Sequence, residues 1–285
     1  MKLCRFGPPG EERSGLIGPD GRLYDLSEHC PSLGGASLTP ANLARLAALD
    51  IAALPAVEAM PRFGPPVADV SKFICIGLNY SDHAAESGLA PPDEPVVFMK
   101  ATTAICGPDD EVMQPVNCTK LDWEVELGVV IGTTARNVSV AEALDHVAGY
   151  CTVNDVSERA FQMQSAQWDK GKGCDTFGPI GPWLVTPDEI GDPQALSMWL
   201  DVNGRRMQSG NTKNMIFGVA EILSYLSRYM TLLPGDIIAT GTPAGVGLGQ
   251  KPEPVWLQPG DVVELGIEGL GQQRQTVIPY RRRGH

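Results

Sequence analysis

Short apolar runs punctuated by glycine and proline set the pattern along this chain. Lys72-Phe73-Ile74-Cys75-Ile76-Gly77 predicts a buried strand, and Pro95-Val96-Val97-Phe98-Met99-Lys100 a second. Trp123-Glu124-Val125-Glu126-Leu127 alternates and then runs apolar into Val129-Val130-Ile131-Gly132. Because successive side chains on a strand point to opposite faces, Trp123, Val125 and Leu127 would enter a core, with Glu124 and Glu126 side by side on the other face. Further strands are predicted at Gly149–Val153, Ser197–Val202 and Asp236–Thr240, with Asn203-Gly204 as a turn. Helical spacing predicts Ala41–Leu49, with Leu43, Leu46 and Leu49 on one face, and Met215–Met230. Ser139–Val147 also predicts a helix, capped by Ser139 and Glu142, with Val140, Ala143, Leu144 and Val147 as its apolar face.

At the N-terminus, Lys2–Phe6, Gly15–Gly18 and Arg22–Leu26 predict short strands, the last two joined at Asp20-Gly21. The Pro/Gly-rich run Pro61–Pro66 reads as a linker, which divides the chain into a small N-terminal domain, residues 1–66, and a larger one, residues 67–285. With 43% hydrophobic and 20% charged residues, the chain has the composition of a globular protein with a substantial core. Its 32 glycines and 24 prolines favour many turns and short strands over a helical bundle.

A formal net charge of -12 argues against non-specific nucleic-acid binding and against adhesion to anionic membranes. The basic cluster Arg281-Arg282-Arg283 reads as a solvated terminus. Seven cysteines, widely spaced and with no CxxC pair, read as buried thiols in a reducing compartment. No N-terminal apolar segment and no 18-residue apolar run is present, and a cytoplasmic protein is expected.

Several residues carry possible chemistry. Glu124 and Glu126 are either a solvated strand face or two ligands of a hard divalent metal. Asp155, after the strand Tyr150–Val153, is either a helix N-cap or a third carboxylate at the same place. An all-oxygen set suits Mg²⁺ or Mn²⁺ and is wrong for a structural zinc. His83 and Glu86, three apart, could pair on a helix so that the carboxylate orients an imidazole base, or simply form a surface contact. Lys172, in Lys170-Gly171-Lys172-Gly173, is either an exposed loop lysine or a positive charge for an anionic substrate. Gly241–Gly247 has no dinucleotide spacing and reads as a tight loop where backbone amides and Thr242 approach a small anion.

Taken in order, Gly77-Leu78-Asn79-Tyr80-Ser81-Asp82-His83-Ala84-Ala85-Glu86, Asp122–Leu127, Asn154–Arg159, Lys172–Pro182 and Gly241–Val246 resemble the fumarylacetoacetate hydrolase family. The likeness covers residues 70 to 280, and its specificity lies in the five motifs together. It implies a mixed α/β, β-rich fold, the family's β-roll, and a homodimer. It further implies metal ligands at Glu124, Glu126 and Asp155 for Mg²⁺ or Mn²⁺, a lid-borne dyad at His83 and Glu86, and a substrate-polarising lysine at Lys172. Arg159 and Gln162 would contact the substrate's acid end and Thr242 its carboxylate, with Tyr80 also assigned to substrate binding. Ala101 stands where many relatives have proline or serine, which bears on the local loop and on no ligand.

Within the family, Arg159–Gln164 with Gln167-Trp168 looks like bacterial members that process sugar-acid derivatives. That implies metal-dependent hydrolysis of a C–C bond in a 2,4-dioxo acid. The substrate would be 2,4-diketo-3-deoxy-L-rhamnonate, giving pyruvate and lactate, or the fuconate analogue. The same site could serve a 2-hydroxy-diene-dioate isomerase, an oxaloacetate-type decarboxylase or a ureidoglycolate lyase. A non-catalytic sugar-acid binder is the alternative from another class.

Overall fold

The computed structural model describes residues 1–88 and 90–282. His285 and Arg283 of the basic tail lie outside the described residues. The described residues form two large sheets and a two-stranded one, Leu121–Asp122 with Ser157–Glu158. The larger has 11 strands, ordered from one edge as Leu23–Asp25, Arg13–Ile17, Lys2–Phe6, Gly178–Val185, Val147–Asn154, Val125–Ile131, Ile237–Ala239, Phe73–Gly77 and Val96–Lys100, with two short strands, Phe63–Gly64 and Ile105–Cys106, attached off this path. The second has five strands, in the order Arg205–Asn211, Ser197–Val202, Val262–Ile267, Gly271–Ile278 and Val112–Met113. This is the mixed, β-rich architecture that the apolar runs predict.

The strand Val125–Ile131 lies in the middle of the larger sheet, between Val147–Asn154 and Ile237–Ala239, and all seven of its residues are buried. Its alternation places Trp123, Val125, Leu127, Val129 and Ile131 in the core shared with the second sheet, beside Leu200, Leu265 and the helix residues Leu223 and Leu226. Val130 faces the opposite core, with Leu38, Leu46 and Ile237. Glu124 and Glu126 share that second face but stand at the sheet's end, where the apolar layer gives way to a cavity.

The N-terminal strands continue the same sheet, Lys2 opposite Val185 and Leu3 opposite Leu184. The stretch expected as a linker is tied down: Phe63–Gly64 pairs with Arg5 and Phe6, and the Arg62 guanidinium donates to both oxygens of Asp110 at 2.7 and 2.6 Å and to Glu12 at 2.9 Å. Two helices fall near their expected places, at Pro40–Ala47 and Val219–Tyr229.

The helix expected over Ser139–Val147 does not form; a short 3₁₀ turn covers Ala143–His146 and Val147 opens a strand. Its capping contacts are present, the Glu142 amide donating to the Ser139 hydroxyl at 3.3 Å and the Ser139 amide to Glu142 at 3.2 Å. The apolar face is not: Val140 and Leu144 are 47% and 44% exposed. Only Ala143 and Val147 find a core, and pairing of Val147 with Ile131 outweighs the local helical signal.

Candidate active site

Two adjacent strands bring three carboxylates together. Val125 pairs with Asn154, so Glu124 lies across from Asp155, whose amide donates to the Glu124 carbonyl at 2.9 Å. Oxygens of Glu124, Glu126 and Asp155 all lie within 4.8 Å of one another, and all three residues are buried. That excludes the solvated strand face. Nor does Asp155 cap the following helix. Glu158 does, accepting from the Phe161 amide at 2.6 Å.

Buried like charges at this separation need cations. Lys172 donates to Glu124 and to Asp155, each at 2.7 Å. Lys100 donates to Asp155 and to the Val156 carbonyl. Arg159 donates to Glu124 at 2.6 Å, to Asp122 at 2.8 Å and to Gln162 at 3.0 Å. Gly171 makes the position of Lys172 possible. A Cβ there would lie 2.5 Å from the Gln162 amide nitrogen, so only glycine lets the turn Asp169–Lys172 seat on Arg159–Gln162. Lys172 is buried, whereas Lys170 is exposed and donates to Gln164.

The two glutamates are pushed in opposite directions. Burial works against ionised Glu124, but Lys172 and Arg159 outweigh it and hold its carboxyl well below the ordinary range. Glu126 is driven well above that range by burial and by the neighbouring charges of Asp155 and Glu124. The nearby Lys172 charge and the Gly241 amide, which donates at 2.8 Å, offset this only in part. The four acids Asp122, Glu124, Glu126 and Asp155 outnumber the three bases Lys100, Arg159 and Lys172 by one, and Glu126 is the acid left without a direct basic partner among the described residues. Three buried carboxylates, one of them under-compensated, offer a donor set that suits a hard divalent cation.

His83 and Glu86 lie on the helix Ser81–Ser87 and border the same cavity. His83 Nδ1 is 3.4 Å from Glu86 Oε2, and the Gly245 amide donates to both Glu86 oxygens at 3.1 Å. Burial opposes ionisation of Glu86, but the His83 contact and the Gly245 amide hold its pKa below the ordinary value. A lowered carboxylate adds stability that is present above its unfolded pKa and lost as pH falls through the folded one. The tie between this helix and the Gly241–Gly249 loop is therefore expected to persist through the ordinary carboxylate range and to release only in more acid solution. Hydrogen exchange of the Gly245 amide against pH checks this, and Glu86→Gln should remove the dependence.

A cavity of about 420 Å³ joins these groups. Its lining includes His83, Glu86, Glu124, Glu126, Arg159, Gln162, Lys172 and Thr242. The Thr242 hydroxyl donates to the Val125 carbonyl at 3.0 Å and accepts from Gln208 at 2.8 Å. Tyr80, expected on the substrate, is instead fully buried, with its hydroxyl 3.2 Å from Met198 Sδ in the core between the sheets. It occupies the turn before the helix, where the chain must anchor.

Sequence reading missed the supporting charges. Lys100 ends an apolar strand, and that placement was its only signal. Asp122 had none beyond its motif. Asp122 accepts from the Gly247 amide at 2.6 Å, the Leu248 amide at 3.0 Å and Arg159, so it joins the loop to the cage. Asp122→Ala takes one carboxylate from a buried guanidinium and the acceptor from three amides, those of Trp123, Gly247 and Leu248. A loss of roughly 3–5 kcal/mol in unfolding free energy is expected, measured by urea denaturation. A loss under about 1 kcal/mol would refute this account of Asp122.

A cavity lined by buried carboxylates and by a histidine–glutamate pair, on a β-rich fold, is the kind of site that binds a small molecule. Residues 72–278 match the model for the fumarylacetoacetate (FAA) hydrolase C-terminal family, and the chain belongs to that family. A Burkholderia multivorans protein carrying only the general name hydrolase is 61% identical over 282 residues, 99% of this chain and all of the other. The structure of a fumarylacetoacetate hydrolase from Exiguobacterium antarcticum is 39% identical with a TM-score of 0.85, covering 98% of this chain and all of that one. That of a 2-hydroxyhepta-2,4-diene-1,7-dioate isomerase from Mycobacterium marinum is 34% identical with a TM-score of 0.74, covering 99% of this chain and all of that one. Family enzymes thus include hydrolases and isomerases on one fold, and members commonly use a divalent metal. Among the described residues, no helix is long and apolar enough to cross a membrane.

Proposed function

We propose that this chain hydrolyses the C3–C4 bond of a 2,4-dioxo acid, releasing pyruvate and a carboxylic acid. The particular substrate proposed is 2,4-diketo-3-deoxy-L-rhamnonate or its fuconate analogue, in sugar-acid breakdown. The observation that supports the reading is the His83–Glu86 pair bordering the same cavity as Glu124, Glu126 and Lys172, with Asp155 directly behind them. Binding alone calls for no oriented base, which disfavours a non-catalytic binder.

Arg159, Gln162 and Thr242 line the end of the cavity that would take the acid group. Glu124, Glu126 and Asp155 would hold Mg²⁺ or Mn²⁺, a Lewis acid that supplies positive charge at the 2-oxo acid end. His83, oriented by Glu86, takes a proton from water as its oxygen adds to C4. The C3–C4 bond then breaks, its electron pair passing into the enolate of pyruvate. The proton held by His83 returns to C3. Lys172 places an ammonium beside the site where enolate charge develops.

The test is a screen of 2,4-dioxo acids with Mg²⁺, with pyruvate read by a coupled assay. Turnover of at least one is expected, and no pyruvate from any of them would overturn the reading. Isomerisation is the second reading, favoured by the likeness to the Mycobacterium marinum isomerase. It moves a proton and cleaves nothing, so a product of unchanged mass would identify it. The unit proposed to act is a cytoplasmic homodimer, checked by analytical ultracentrifugation.

A further inference from the structure

The cavity is two-sided. Its charged side ends at Lys172, whose ammonium lies 5.0 Å from the centre of the Phe98 ring. Phe98 opens an apolar side. Trp168 packs on it with ring centres 5.3 Å apart, and both line the cavity with Ile76 and Val246. Two of the chain's exposed large apolar side chains, Met163 at 71% and Leu248 at 41%, border the same space.

Trp168 is held by shape. A Cβ at Gly77 would lie 2.5 Å from the indole, so the ring rests directly on the backbone where the strand Phe73–Gly77 ends. On the cage side, three polar groups already hold partners: Arg159 on Asp122, Glu124 and Gln162, Thr242 on Val125 and Gln208, and Glu86 on Gly245. A hydroxyl placed against Phe98 and Trp168 would lose its water and meet carbon.

We propose that this wall receives the acyl end of the substrate, and that Trp168 makes the site select acyl chains ending in apolar carbon over hydroxyl-ended ones. The proposal rests on the 2,4-dioxo acid reading for its direction. The acid group sits at the cage, and the carbons beyond C4 run past Lys172 onto Phe98 and Trp168. A methyl-ended deoxy-sugar derivative or a simple alkyl acylpyruvate fits, and a hydroxymethyl-ended one does not.

Two measurements on the Mg²⁺-loaded protein test it. In the first, 2-oxobutanoate, 2-oxohexanoate and 2-oxooctanoate, which lack the 4-oxo group and are not cleaved, are titrated by calorimetry. Affinity is expected to rise roughly three- to fourfold per methylene. Trp168→Gln should flatten that rise and Trp168→Phe should keep most of it, with circular dichroism verifying the fold of each. In the second, kcat/KM for hexanoylpyruvate is compared with its ω-hydroxy homologue, and a preference of at least about tenfold for the former is expected. Affinity independent of chain length, a rise that Trp168→Gln leaves intact, or equal use of the two acylpyruvates would overturn the proposal. A chain-length rise without cleavage of any acylpyruvate would uphold the wall and defeat the hydrolase reading alone.

Discussion

Glu126→Gln is expected to abolish divalent-metal binding and turnover while making the metal-free protein more stable. Glu126 is buried between Glu124 and Asp155, and it is the triad member that no lysine or arginine holds directly. An amide there keeps an oxygen to accept from the Gly241 amide and removes a charge that burial and two neighbouring carboxylates oppose. The gain in unfolding free energy should be on the order of 1 kcal/mol. Activity should fall by at least about a thousandfold, since removal of a charged ligand costs the site its cation. Thermal unfolding without metal and Mn²⁺ titration read the two effects separately. A variant that binds Mn²⁺ as tightly as the parent would show that Glu126 is no ligand, and a less stable metal-free variant would refute the charge argument. Such opposite signs are expected where a site is built for function at a cost in stability.

The second large effect is expected at His83. Losing a general base costs typically 10²–10⁴-fold, so His83→Ala should reduce kcat within about that range with little change in KM. The side-chain contact of His83 is to Glu86 at the edge of the cavity, so the fold should hold, which circular dichroism checks. Single-turnover measurements with excess enzyme would separate slow cleavage from slow release. A variant with full kcat would remove His83 from water activation and favour isomerisation, which needs no attacking water.

Much of this was readable in the chain. The alternation at Trp123–Leu127 assigned each side chain to its face before any partner was known, because a strand's period of two is local. Strand ends at Gly77 and Asn154 likewise placed His83 and Asp155 near the sheet's end. Motif order then supplied what spacing left open, since any one of the pairs reads equally well as a surface contact. Local signals also misled. Ser139–Val147 carries a true capping box and a helical face, yet Val140 and Leu144 had no layer to bury against. Tyr80, which the resemblance placed on the substrate, is buried just before the helix Ser81–Ser87 with its hydroxyl on Met198.

By itself, then, the sequence determined the β-rich class, a strand with two carboxylates on one face, and part of the set of ionisable residues around them. Periodicity and caps are properties of neighbouring residues, and these features depend on nothing further away. Only the tertiary structure decided how those charges are balanced. Lys100 reaches Asp155 across 55 positions, and Arg159 reaches Asp122 across 37. It also decided that Trp168 closes the apolar side against Gly77, 91 positions earlier in the numbering. The physical reason is that burial makes these pairs obligatory, and no local rule says which charge will stand opposite once two distant segments pack.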